Sequence, residues 1–134
     1  HADPKNHQED SDFVVNNPKP AQHLALQTKY LERLNQLIDT CLAHQIKPVL
    51  MTQPYYAAYL PERFEAVSIY NETLKQLAHE RNLLCIDLAS ALPETDDHYY
   101  DGIHYTNAGA AYVAQVIDSA LQPLLVQELA RPAQ

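Results

Sequence analysis

The segment PVLMTQP, residues 48 to 54, sets the reading of the whole chain. Its apolar core, Val49-Leu50-Met51, is too short for a helix and lies between Pro48 and Pro54. Pro48 to Thr52 therefore reads as a buried strand. Different periods flank it. Upstream, Leu24, Leu31, Leu34, Leu37, Ile38, Cys41 and Leu42 recur at helical spacing between Ala21 and about Gln45. Downstream, the tyrosine-rich segment Tyr55 to Leu60 reads as loop. Phe64, Val67, Tyr70, Leu74 and Leu77 then mark a helix from Pro61 or Glu62 to Arg81. Leu83 to Leu88 repeats the strand signal. Thr106 or Asn107 can cap a last helix bearing Tyr112, Val113, Val116, Ile117 and Leu121. Pro123 is expected to kink or end that helix, with Leu124 to Ala130 adding a turn or two.

The order helix, strand, helix, strand, helix implies right-handed crossovers and parallel strands. Two parallel strands cannot cover both faces and both edges of such a sheet, so the fold asks for more strands. The chain starts His1-Ala2-Asp3-Pro4 and its one methionine is Met51, from which we expect less than a whole translated product. Residues 1–20 are polar, with Pro4, Pro18 and Pro20, and read as an arm or loop. A short strand is possible at the apolar island Phe13-Val14-Val15. Residues 21–134 read as the α/β portion.

Composition narrows the function classes. A length of 134 residues is one domain's worth, and 46 % hydrophobic with 19 % charged residues is globular. A net charge of -8 with only nine Lys and Arg argues against nucleic acid as a partner. No apolar run reaches the roughly 18 residues of a transmembrane segment, nothing at the start resembles a signal peptide, and localisation stays open. With two glycines in all, a dinucleotide fingerprint or phosphate loop is excluded, and no cofactor is expected. Cys41 and Cys85 fall in different core elements and read as buried free thiols.

Both glycines lie in DGIHYTNAG, residues 101 to 109. An Asp three residues before a His on an irregular loop can turn its carboxylate to the imidazole. Asp101 would then accept from His104 Nδ1–H, fix the tautomer and leave Nε2 as a base. Gly102 would let the chain turn between them with φ > 0. The loop follows the second strand, near the strands' carboxyl ends, where open parallel sheets bind ligands. A plain Asp-Gly turn gives the same letters. A third reading is metal binding, since Asp96, Asp97, His98, Asp101 and His104 put five potential ligands into nine residues, although no two histidines have helical ligand spacing. Around this loop, Thr52 and Gln53 read as pocket lining or strand termination. Tyr55, Tyr56 and Tyr59 read as a lid, an acyl-binding wall or cover for a core edge. Asp87 reads as a turn cap. His44 and His79 need no ligand at helix ends.

The run from about residue 24 to 121 resembles the C-terminal half of the SGNH (GDSL-like) esterase and lipase superfamily. KPVLMTQP (47–54) is similar to that family's fourth strand and following loop. YNETLKQLAHERNLLCIDLASAL (70–92) is similar to its next helix and fifth strand, and DGIHYTNAGAAYVAQVI (101–117) to its last conserved block. The resemblance implies a three-layer, flavodoxin-like α/β fold, a parallel sheet flanked by helices, with only its C-terminal part in this chain. It implies Asp101 as orienting carboxylate and His104 as general base of a serine ester hydrolase. The substrate would be an acyl or acetyl ester of a small molecule, carbohydrate or lipid. The family's Gly-Asp-Ser nucleophile block, oxyanion-hole glycine and Gly-x-Asn-Asp block are absent, although Asn16 or Asn17 could stand near the last. None of the four serines, Ser11, Ser68, Ser90 and Ser119, sits in a nucleophile turn. The nucleophile is therefore expected outside the chain, in an N-terminal half or a partner. Alternatives are a non-catalytic SGNH-like binding or assembly domain, and a metal-binding domain through the acidic loop 96–104.

Overall fold

The computed structural model describes residues 20–59 and 61–130. Ser11, the Phe13–Val15 island and Asn16–Asn17 lie outside the described residues, as does the side chain of Phe64. In chain order the elements are α1 (Pro20–Ala43), β1 (Leu50–Met51), α2 (Pro61–Glu80), β2 (Cys85–Ile86), α3 (Leu88–Ala91) and α4 (Asn107–Leu129). β1 and β2 pair in parallel, Leu50 opposite Cys85 and Met51 opposite Ile86. The strands are shorter than their apolar runs. Hydrogen bonds from Leu50 N–H to Leu84 O (2.9 Å) and Thr52 N–H to Ile86 O (3.1 Å) carry the pairing slightly further. The described residues thus hold the two adjacent parallel strands expected from the sequence, in a mixed α/β arrangement, and no further strand.

Alternation along the strands sorts the packing. Leu50 and Cys85 face a cluster formed by Ile38 of α1 with Leu74, Leu77 and Ala78 of α2. Tyr30 and Leu34 pack on this cluster, and Tyr30 meets Tyr70 edge-on at 4.9 Å. Met51 and Ile86 face the other way. α4 packs on β2, where Ile86 is buried, while Met51 stays 44 % exposed. Because Leu50 and Thr52 donate to β2, the Met51 backbone faces away from it, toward an edge with no strand among the described residues. Two residues further on, Asn71 of α2 takes a strand's place. Its Oδ1 accepts from Gln53 N–H (2.8 Å) and its Nδ2 donates to Gln53 O (2.9 Å).

With so few glycines, helix ends use other residues. Gln45 and Asn82 take φ of 60° and 52°. At the end of α1, Gln45 N–H bonds Leu42 O and Ile46 N–H bonds Cys41 O; at the end of α2, Asn82 N–H bonds His79 O and Leu83 N–H bonds Ala78 O. Both are Schellman closures. Pro123 does not end the last helix, which runs unbroken to Leu129. Proline there removes one N–H bond, and Lys47 Nζ holds Glu128 Oε1 at 3.0 Å in the final turn. Cys41 and Cys85 are free and half-buried.

Thr52 ties the two strand ends together. Its hydroxyl is buried, donates to Asp87 Oδ1 (2.8 Å) and accepts from Ala89 N–H (2.8 Å). Thr52→Val keeps the shape but leaves the part-buried Ala89 amide without its acceptor and removes one of the donors to Asp87, and should cost about 1–2 kcal/mol. Urea unfolding measures it; an unchanged midpoint would mean the hydroxyl holds nothing.

Candidate active site

Past the carboxyl ends of β1 and β2, two loops meet. The first is 52–59. The second runs from Asp87 through α3 to the start of α4. Asp87 is the N-cap of α3, accepting from Ser90 N–H (3.3 Å) and Ser90 Oγ (2.7 Å) as well as from Thr52 and Lys75 Nζ (3.3 Å). Burial pushes its pKa up, but the hydrogen bonds from Ser90, Thr52 and Lys75 win and hold it below the ordinary value. Lys75 sits between Asp87 and Glu72. Asp87, Ser90, Lys75 and Glu72 line a groove of about 120 Å³ with Tyr55, Ser68 and Glu94. Its wall is mostly hydroxyl, carboxylate and ammonium. Neither Thr52 nor Gln53 lines it: Thr52 is the clamp described above, and the Gln53 side chain reaches the Tyr105 hydroxyl.

The segment 99–105 is a tight loop, closed by an antiparallel bridge between Tyr99 and Tyr105. Tyr100 N–H bonds His104 O and Thr106 N–H bonds His98 O, each at 2.9 Å. Asp101 organises the turn. Its Oδ1 accepts from Ile103 N–H (2.8 Å) and His104 N–H (2.9 Å), and its Oδ2 lies 2.8 Å from His104 Nδ1. A carboxylate only accepts, so Nδ1 carries the hydrogen. Nε2 has no hydrogen-bond partner among the described residues. The two side chains, His104 and Asp101, are 71 % and 53 % exposed. The pair is therefore open toward solvent.

Gly102 does not use the left-handed region, since no glycine has φ > 0. Gly102 is instead buried under the other loop, and its carbonyl accepts from Tyr56 N–H at 2.9 Å. Gly109 answers to a different constraint. A Cβ there would stand 2.1 Å from His98 O. Thr106 caps α4, its hydroxyl accepting from Gly109 N–H (3.1 Å) and donating to Asp97 O. Asp101 takes no part in that cap.

Tyrosines join the two loops. Tyr56 meets Tyr59 at 4.9 Å and Tyr99 at 5.6 Å, and Tyr99 meets Tyr105 at 5.7 Å. Tyr59 donates to Asp96 Oδ1 (2.9 Å), and Glu94 Oε2 accepts from Ala57 N–H (2.9 Å). Tyr56 and Tyr59 thus cover the base of the Asp101 loop. The Tyr99 hydroxyl is buried, which raises its pKa, and it has no partner among the described residues.

The acidic loop does not gather into a metal site. Asp96 faces Tyr59, His98 Nδ1 meets Thr95 Oγ1 (2.8 Å) and Asp101 holds His104. No group of three His, Cys, Asp or Glu converges among the described residues. Ser90 Oγ is engaged on Asp87, and no serine among the described residues hydrogen-bonds His104. His44 and His79 are exposed at helix ends, His44 Nδ1 on Thr40 O.

The hydrogen bonds from Ile103 N–H, from the His104 ring and from His104 N–H pull the Asp101 carboxyl down to about 2 from an ordinary 3.8. Folding depresses this pKa. The ionised turn therefore stabilises the protein fully above about pH 4 and loses that contribution as pH falls toward 2. A carbon-detected NMR titration should place the Asp101 midpoint near 2. A midpoint near 4 would mean that the turn does not form.

Fold and loop together define a mixed α/β domain with an Asp–His pair beyond the ends of two parallel strands. No protein-family model matches the chain, and no curated protein matches it. Among solved structures it is similar to a GDSL-like lipase from Bacteroides thetaiotaomicron VPI-5482, with a TM-score of 0.63 and 15 % identity. The match covers 73 % of this chain and 53 % of that one, so the chain spans about half of the lipase's length. At that identity the likeness is one of fold: the described residues have a GDSL-like fold.

Asp87 caps α3 as its place in the sequence leads one to expect, although a turn that short shows no period. One tie is not legible in the sequence. The tie between Glu94 and Ala57 joins residues 37 apart and left no local signal.

Proposed function

We propose that this chain supplies the acid–base half of an SGNH-type serine ester hydrolase. The reading rests on the 2.8 Å contact of Asp101 Oδ2 with His104 Nδ1, with Nε2 open, on a GDSL-like fold. In this reading an N-terminal half or a partner outside these 134 residues completes the three-layer, flavodoxin-like fold along the Met51 edge and brings the nucleophilic serine and oxyanion donors. The serine Oγ attacks the ester carbonyl as Nε2 takes its proton. The tetrahedral intermediate collapses as the imidazolium returns the proton to the leaving alkoxide, and water repeats the cycle on the acyl-enzyme. Asp101 stays ionised and holds the tautomer throughout.

The acidic surroundings of the pair favour an uncharged or cationic ester. Glu94, Asp96, Asp97 and Asp101 crowd one loop, and no Lys or Arg occurs from Asn82 through Ala130. Anionic esters would be repelled.

A base without its nucleophile does little, because oxyanion donors and attack supply most of the rate. The 134-residue chain by itself should not hydrolyse p-nitrophenyl acetate above the buffer rate, whereas a form carrying a Gly-Asp-Ser segment should. Brisk turnover by the short chain would overturn the placement of the nucleophile. An inert longer form would favour the non-catalytic binding domain.

A further inference from the structure

We propose that Glu94 is a positioning residue for the Asp101–His104 pair, acting through the loop 55–59; the proposal rests on the acid–base role given to that pair above. Both side chains of the pair bond only within their own turn and are mostly exposed. Their own packing therefore does not fix where the turn sits; what holds it is the loop 52–59, which covers Gly102 and sets Tyr56 against Tyr99. The tip of the turn is tied to that loop by one backbone bond, Tyr56 N–H to Gly102 O. That bond is only as firm as the loop that offers it, and 52–56 has no regular structure. Glu94 Oε2 accepts from Ala57 N–H at 2.9 Å, one residue from the tie. A carboxylate makes this a charge-assisted bond, stronger than a neutral acceptor gives. Asp96, by contrast, holds the loop three residues away, at the end of the Tyr59 ring.

Glu94, Ala57, Tyr56, Gly102 and the chain from 94 to 102 thus close a ring around the Asp101 turn. Releasing Glu94 would free the Tyr56 amide, loosen Gly102 and degrade the two N–H bonds that Asp101 Oδ1 accepts. The titratable groups facing Asp101 are His104 and, further off, Tyr59. Glu94 is not among the groups that shift Asp101, so loss of its charge alone does not raise the midpoint. A loosened turn does, which makes the measurement decisive.

The experiment is an NMR titration of the Asp101 and Asp87 carboxyls in the full chain, for Glu94→Ala and Glu94→Gln. Glu94→Ala should raise the Asp101 midpoint by about one unit while Asp87, held by Thr52, Ser90 and Lys75, stays low. Glu94→Gln keeps an acceptor for Ala57 N–H and should leave Asp101 near its starting value. An unchanged or lowered Asp101 midpoint in Glu94→Ala would overturn the proposal. So would a Gln variant that behaves like Ala, or a parallel rise of Asp87, which would mean general loosening. In a form carrying the nucleophile, Glu94→Ala should cut kcat roughly tenfold with KM nearly unchanged, and Gln should restore it. A raised Asp101 midpoint with undiminished kcat would uphold the positioning by Glu94 and instead contradict the acid–base role of the pair.

Discussion

Asp101→Asn, in a form of the protein that carries the nucleophile, is expected to lower kcat by a factor on the order of 10³–10⁴ with the fold intact. The asparagine Oδ1 can keep both bonds from Ile103 and His104 N–H, so the turn survives. Its Nδ2, standing where Oδ2 faced the ring, is a donor and requires an unprotonated Nδ1. The imidazole hydrogen then moves to Nε2, which can no longer accept from a serine. His104→Ala should do at least as much harm with little loss of stability, because the exposed side chain supports no core. Steady-state kinetics beside thermal unfolding separates the two effects. Full activity in both variants would leave an ordinary Asp-Gly turn.

Gly109→Ala should destabilise the protein by about 2–3 kcal/mol, although alanine is the better helix former by about 1 kcal/mol. The added Cβ would lie 2.1 Å from the His98 carbonyl oxygen and 3.0 Å from its carbon. Backbone must give way, since no side chain can swing aside. His98 O also accepts from Thr106 N–H, so the displacement reaches the cap of α4 and the 99–105 bridge. Melting should fall by roughly 10 °C. A gain of stability would mean that helix and turn stand further apart.

The Asp101–His104 contact was legible because it is local: three residues apart, it depends on a turn that the letters already announce. The parallel pair and the long helices were legible through their periods. The strands came out shorter because only Leu50–Met51 and Cys85–Ile86 keep regular pairing before Asn71 and Thr52 take over the backbone partners. The roles of the glycines were not legible. Gly102 was expected to supply a positive φ and is instead buried against Tyr56; Gly109 is fixed by His98, eleven positions away. Long-range approaches of this kind leave no pattern in one sequence. Leu24 and Leu37 show the same limit, recurring at core spacing in α1 yet staying 66 % and 61 % exposed among the described residues.

The central claim, that His104 serves as base for a serine lying elsewhere, is tested most directly by a fluorophosphonate probe and peptide mapping. The form carrying the nucleophile should take one adduct, on a serine other than Ser11, Ser68, Ser90 and Ser119, and His104→Ala should abolish it. An adduct on one of those four serines, or labelling undiminished in His104→Ala, would contradict the account.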